Sequence, residues 1–182
     1  CHAIAVDLLE TDAISFDFNA GNLQASPGQT YPISFSLSSI GQTVFGFQII
    51  AEDDNGDPIG EFVLTDSDNT QLSSGYLTHT NSGTSSSTSN AVWNSSWLAP
   101  TDFEGTVTFY MAGLITNSSG TNTSDKFLAL NYPIEVVEPI EVIPGCTNPE
   151  ATNFDPLASE DDGSCVFEPI AGVFIMGQLI DV

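Results

Sequence analysis

Apolar and polar side chains alternate with a period of two along much of the chain. Residues 30–37, TYPISFSL, place Ile33, Phe35 and Leu37 on one face and serines on the other, and residues 106–111 repeat this pattern. A strand with one face in a core and the other in water has this alternation. It therefore predicts half-buried strands in antiparallel sheets.

Short runs of this kind recur, rich in β-branched and aromatic residues and separated by Gly, Pro, Asn and Asp. No segment has the spacing of an amphipathic helix. Many short strands with frequent turns are typical of an all-β fold, and we predict an antiparallel β-sandwich. The predicted strands are Ala13–Phe18, Thr30–Leu37, Val44–Ala51, Glu61–Thr65, Ala91–Trp97, Gly105–Gly113, Lys126–Asn131, Ile134–Ile143 and Gly172–Ile180.

The predicted organisation has four consecutive parts. Residues 1–12 form an N-terminal attachment segment, residues 13–140 the β-sandwich, residues 141–168 a small module and residues 169–182 a C-terminal strand. The last part is apolar, and an unpaired apolar strand promotes aggregation, so we expect it to pair. Residues 172–181 either extend a sheet of the same chain or bind other subunits or surface proteins by strand addition.

The charge of the chain is strongly one-sided. It has 24 acidic residues against one basic residue, Lys126, and a formal net charge of −23 at pH 7. Proteins neutralise nucleic-acid phosphates and anionic lipids with a basic surface, so the composition excludes nucleic acid as a partner. No stretch reaches the roughly 18 apolar residues of a membrane span.

Two of the three cysteines, Cys146 and Cys165, bound a compact segment rich in Asn, Asp, Gly and Pro. This spacing predicts a local disulfide made in an oxidising compartment. We therefore expect an exported protein, at the cell surface or extracellular, with a small disulfide-closed C-terminal module.

The third cysteine is the first residue and precedes His2. Cleavage of a bacterial lipoprotein precursor would leave Cys1 carrying a lipid anchor. Alternatively, the pair is the end of a haem c motif, with Cys1 bonded to the haem, His2 on its iron, and Met111, Met176 or His79 as the second axial ligand. In a third explanation Cys1 is unpaired or forms an intermolecular bond. The sequence leaves these three explanations open.

Clustered carboxylate and amide oxygens in two loops suggest calcium, which takes several oxygen ligands. For the first loop an Asn-Gly hairpin turn is the favoured explanation, and for the second loop Asx turns explain the residues as well as calcium does. The candidate ligands are Asp53, Asp54, Asn55 and Asp57 in the first loop, and Asn153, Asp155, Asp161 and Asp162 in the second.

The sequence contains no motif for a catalytic nucleophile, a phosphate-binding loop or a zinc protease. We predict that His79 is hydrogen-bonded at a strand end and that the protein is not an enzyme. Trp93 and Trp97 share one strand face, which favours a place in the core over carbohydrate binding.

Five motifs follow one another along the chain: Pro27–Leu37, Phe45–Ile50, Tyr76–Thr80, Trp97–Pro100 and Gly105–Gly113. In their order and spacing they resemble the Reeler-type domain and a similar bacterial module, the choice-of-anchor V domain, over residues 13–131. This resemblance implies an immunoglobulin-like β-sandwich. Residues 145–165 resemble a Cys-bounded repeat of secreted proteins from Bacteroidota-type bacteria and some algae.

These observations favour a non-enzymatic secreted or cell-surface module with a structural or adhesive role, as a subunit of an extracellular assembly or filament. Two alternatives stay open. One is a c-type monohaem electron-transfer protein using Cys1 and His2, and the other is a calcium-dependent carbohydrate- or protein-binding domain.

Overall fold

The structure is a computed structural model that describes residues 12–121 and 123–168. The described residues form strands and two short 3-10 helices, Asn19–Gly21 and Ser82–Thr84, and the chain divides into two compact units, up to Glu138 and from Pro139. The strands are β1 Ala13–Phe18, β2 Gln24–Ala25, β3 Thr30–Ser38, β4 Val44–Glu52, β5 Glu61–Val63, β6 Thr70–Ser73, β7 Tyr76–His79, β8 Asn90–Leu98, β9 Gly105–Thr116, β10 Lys126–Val136, β11 Pro144–Gly145 and β12 Glu160–Asp161.

An antiparallel four-stranded sheet has the order β1-β3-β8-β5. Phe35 of β3 lies opposite Phe16 of β1 and Trp93 of β8, so a row of aromatic side chains crosses the sheet. Ile33 and Leu37 are buried on the same face of β3. The alternation in β3 therefore places its apolar side chains in the core, as predicted.

A six-stranded sheet has the order β2-β10-β9-β4-β7-β6. Its strand pairs are antiparallel except for the short β2, which runs parallel to β10. β10 pairs with β9 along its whole length, from Lys126 opposite Ile115 to Val136 opposite Gly105.

The two sheets pack face to face across one hydrophobic core. Phe109 of β9 lies 5.1 Å from Phe16, 5.7 Å from Phe18 and 5.3 Å from Trp97, measured between ring centroids. Full burial of one such side chain stabilises the fold by about 1.5–3 kcal/mol. The architecture is an immunoglobulin-like antiparallel β-sandwich, as predicted.

Two parts of the strand prediction were wrong. Residues 134–143 are not a separate strand, because β10 continues through Pro133 to Val136 and residues 137–143 are irregular. Glu135 donates its N–H to the carbonyl of Leu23, on the side of β10 that faces away from β9. Position 133 is two residues earlier, so an N–H there would face the same side. Proline has no N–H, and at this position its absence removes no hydrogen bond between β10 and β9. Strands β6 and β7 were missed, because each has only four residues and little apolar character. The predicted strand 172–180 lies outside the described residues.

The second unit has little regular structure in residues 139–168. β11 and β12 pair in parallel, with Pro144 opposite Glu160. A disulfide joins Cys146 to Cys165 with a Cα–Cα distance of 4.9 Å, so the predicted pairing is confirmed.

Candidate functional surfaces

His79 ends β7 and completes the hydrogen bonding of the neighbouring strand. Its Nδ1 lies 3.0 Å from the backbone nitrogen of Phe47 and accepts that N–H. Thr78 donates its hydroxyl to the Phe47 carbonyl. A Cβ on Gly46 would lie 2.9 Å from the His79 ring, so only glycine leaves room for it. His79 therefore has a structural role at a strand end, which agrees with the interpretation of the sequence.

The first candidate calcium loop is a tight turn closed by its own carboxylate. Oδ1 of Asp53 accepts the N–H groups of Asn55 at 2.8 Å and Asp57 at 3.0 Å, and Oδ2 accepts the Asn55 side-chain N–H at 3.1 Å. The Asp57 N–H, followed by the donors of Asn55 and Gly56, lowers the pKa of Asp53 below its usual value. Asp54 is exposed in the same turn. The turn is closed locally by an antiparallel bridge between Glu52 and Pro58, although β4 and β5 belong to different sheets and do not form a hairpin with each other.

The second candidate calcium loop is held together by Asx turns. Asp155, Asp161 and Asp162 each accept the N–H two residues ahead, at distances of 2.9–3.1 Å. Asn153 accepts the Val166 N–H at 2.7 Å and donates to the Ser164 carbonyl at 2.8 Å. Bonds from the Ser164 hydroxyl and N–H lower the pKa of Asp162.

Within residues 12–121 and 123–168, no group of three or more His, Cys, Asp or Glu side chains is arranged to hold a metal ion. Five of the candidate ligands instead accept hydrogen bonds within their own loops; they are Asp53, Asn153, Asp155, Asp161 and Asp162. Calcium binding therefore stays a prediction from sequence, with no geometric observation added to it.

Some residues of the haem interpretation lie outside the described part of the chain, and others lie within it. Cys1, His2 and Met176 lie outside the described residues. Met111 is only 3% exposed within the sandwich core, and the His79 Nδ1 already accepts a backbone N–H. Met111 is thus not placed as an open axial ligand, and lipid or haem on Cys1 stays a prediction.

Both tryptophans are structural. Trp93 and Trp97 are 3% and 0% exposed, and their indole nitrogens donate to the carbonyls of Gly83 and Ile59. Gly60, with a φ of +71°, lies so close that a Cβ there would be 2.4 Å from the Trp97 ring. The prediction that the tryptophans fill the core is confirmed.

Lys126, the single Lys or Arg in the chain, is part of an ion pair. Its Nζ lies 2.7 Å from Oδ2 of Asp12, and the two side chains are 12% and 0% exposed. Ser39 donates its hydroxyl to Oδ1 of the same carboxylate at 2.6 Å. The ammonium group of Lys126 is therefore paired and largely buried, so it provides no basic surface for a polyanion.

The outer face of the six-stranded sheet carries a shallow groove of about 480 Å³. Ala112 and Ala129 are opposite each other on β9 and β10, and Gln48 of β4 completes their row. The next row contains Ile50, Tyr110 and Asn131. We call the outer sheet face that contains this groove the groove face. Its residues are Gln48, Ile50, Tyr76, Tyr110, Ala112, Ala129 and Asn131, which line the groove, and Leu114 and Phe127, which form the row next to Ala112 and Ala129.

The groove face is unusually apolar for an exposed surface of this acidic chain. Tyr110, Leu114 and Phe127 are 45%, 42% and 52% exposed. The outer face of the four-stranded sheet is mainly Ser, Thr and Asn, and its Ser15 and Ser36 hydroxyls bond to each other at 2.7 Å. Sequence reasoning missed the groove face because only the strand register shows which outward residues become neighbours.

A family model for the Reeler domain matches residues 7–118, more than half of the 182-residue chain. The chain belongs to the Reeler family. This domain is a non-enzymatic structural domain found in extracellular proteins. In the described part of this member, no helix is long and apolar enough to span a bilayer.

A solved structure of this family shares the fold. The chain is 20% identical to the Reelin-N domain of F-spondin, with a TM-score of 0.50 and coverage of 74% of this chain and 92% of that one. For the human F-spondin reeler domain the identity is 18%, the TM-score 0.49 and the coverage 68% and 89%. Identities this low show the fold alone.

A curated relative matches only a short stretch. Ribulose bisphosphate carboxylase/oxygenase activase 1, chloroplastic, from Larrea tridentata is 59% identical over 29 residues. That stretch is 16% of this chain and 6% of the activase, so the chain spans a small fraction of that relative.

Proposed function

We propose that this Reeler domain is an adhesive or structural module of an exported protein and makes its contacts through the groove face. The observation that carries the proposal is the exposure of the cross-strand pair Leu114 and Phe127 on the same sheet face as Tyr110, with the row of Ala112 and Ala129 between them. Exposed apolar groups that form a contiguous patch are typical of interaction sites.

The second unit supports a location outside the cell. A disulfide such as Cys146–Cys165 persists in oxidising compartments, and residues 145–165 resemble repeats of secreted bacterial proteins. The likeness to the choice-of-anchor V module agrees with a surface location. Other subunits or surface proteins are the proposed partners, and residues 172–181 are a second candidate contact.

The test compares the two outer faces of the sandwich. The oxidised full chain, fluorescently labelled, is applied to washed cells and extracellular material of the producing culture. A double variant, Leu114→Glu with Phe127→Glu, adds charge to the groove face, and we expect at least about a tenfold loss of retention.

The matched control is Val92→Glu on β8, which is 49% exposed on the opposite sheet. It adds charge at a similarly exposed apolar site and is expected to leave retention unchanged. Equal retention of the wild type and the double variant, with both folded by circular dichroism, would contradict the proposal.

A further inference from the structure

The groove face has two tyrosines at a spacing set by the sheet. Ile50 of β4 lies opposite Tyr110 of β9. The β4–β7 pairing ends at Ile49–Leu77, and Tyr76, the next residue of β7, lines the same groove as Ile50. Two strand spacings separate the tyrosines, which is about 10 Å. Both line the groove, and neither ring stacks on another aromatic ring of the described residues.

Two primary amides accompany the tyrosines. Gln48 and Asn131 line the same groove, and among the described residues their side chains make no hydrogen bond to protein. Each amide offers a carbonyl acceptor and two N–H donors in one plane. Such a group can bond both members of a pair of neighbouring hydroxyls.

The floor of the groove is low because its central residues are small. Ala112 and Ala129 lie in register on adjacent strands, between the row of Tyr110 and the row of Leu114. A flat ligand can therefore lie across the strands on the methyl groups of the two alanines. Its edges would then lie near the side-chain amides of Gln48 and Asn131.

The groove is neutral in a chain with a net charge of −23. None of the residues that line it is charged. The negative electrostatic potential of the whole protein repels polyanions. Because the groove lining is neutral, it adds no attraction for a cation beyond that overall potential. These properties suit a neutral, hydroxyl-rich ligand.

From these observations we infer that the groove binds a short stretch of a neutral polysaccharide, with sugar rings on Tyr76 and Tyr110 and hydroxyl groups on Gln48 and Asn131. Aromatic rings bury the apolar C–H face of a sugar, while amides satisfy its hydroxyls. This inference rests on the proposed function and gives the groove face a ligand class.

The experiment is affinity electrophoresis of the full oxidised chain in gels that contain β-glucan, xylan, galactomannan or, as a polyanion, heparin. We expect retardation by at least one of the three neutral polysaccharides and none by heparin. Tyr76→Ala and Tyr110→Ala should each weaken that retardation by about tenfold or more.

Two further variants separate the groove from its surroundings. Val92→Ala removes an apolar side chain that is 49% exposed on the opposite sheet, outside the groove face, and its retardation should equal that of the wild type. Ala129→Phe fills the groove without removing a hydrogen-bonding group and should abolish retardation. Because all four sites are at least partly exposed, melting temperatures are expected to stay within a few degrees of wild type.

Absence of retardation by every neutral polysaccharide would overturn the inference, as would retardation by heparin alone or an equal loss in Val92→Ala. The proposed function has its own readout in the Leu114 and Phe127 double variant. If that variant loses cell retention while no polysaccharide binds, adhesion stands and the glycan inference falls. If both assays are negative, both fall.

Discussion

The two compact units of the chain are stabilised by different interactions. In the sandwich, Phe18, Trp97 and Phe109 are fully buried at 0% exposure. In residues 139–168, the buried side chains are those of Cys146 and Ala151, and the remaining structure depends on one disulfide and on Asx turns. A segment of this length cannot bury enough apolar surface to fold without such a cross-link.

The same residue types consequently have different roles in the two units. In the sandwich, Asp53 lies in a turn between β4 and β5, two strands that the core already holds. In the second unit the aspartates replace a core, because Asp155 and Asp162 fix the local backbone. Removing the core should therefore unfold the sandwich, and removing the cross-link should unfold the second unit.

The largest expected effect is on the sandwich core. Phe109→Ala removes a ring that contacts Phe16, Phe18 and Trp97, and we expect a loss of about 4 kcal/mol in the free energy of unfolding. Urea denaturation followed by tryptophan fluorescence measures it, since both tryptophans lie in the sandwich. Phe127→Ala, at an exposed position, serves as the control and should change the midpoint little. Equal losses in the two variants would show that Phe109 is not central to the core.

The next effect concerns the second unit. The double variant Cys146→Ser with Cys165→Ser opens a cross-link with a sequence separation of 19, which stabilises a loop of this size by about 3 kcal/mol in the chain-entropy model. We expect amide hydrogen exchange to accelerate in residues 143–166 while the tryptophan transition keeps its midpoint. A comparable fall in the sandwich midpoint would contradict the separate stabilisation of the two units.

The sequence predicted the parts of the fold that depend on local pattern. β1 begins and ends at the predicted residues, and β3 and β9 extend the predicted runs by one and three residues, because alternation over many residues marks a half-buried strand. Register is a property of two strands, so the neighbours Tyr110 and Asn131 were not predicted. The same carboxylates fit both calcium and Asx turns, and only coordinates show that Asp161 accepts the Gly163 N–H.

The smallest effect, and the most specific to the second unit, is its response to acid. Hydrogen bonds from the Ser164 hydroxyl and N–H lower the pKa of Asp162 below its usual 3.8, so the folded unit favours the ionised carboxylate. The resulting stability is fully present above pH 3.8 and is lost as the pH falls through the lower folded value. Hydrogen exchange of residues 161–166 should therefore accelerate, relative to the intrinsic rate, as the pH is lowered from 6 towards 2.

Asp162→Asn provides the matched variant for this prediction. Its amide oxygen can accept the same Ser164 N–H without titrating, so exchange near neutral pH should change little and the acid-dependent part should shrink. Asp53→Asn makes the same substitution at the other carboxylate with a lowered pKa, but in the sandwich. It should leave exchange in residues 161–166 unaltered. If Asp162→Asn keeps the full acid response, the carboxylate of Asp162 does not couple this loop to pH, and other groups of the second unit must do so.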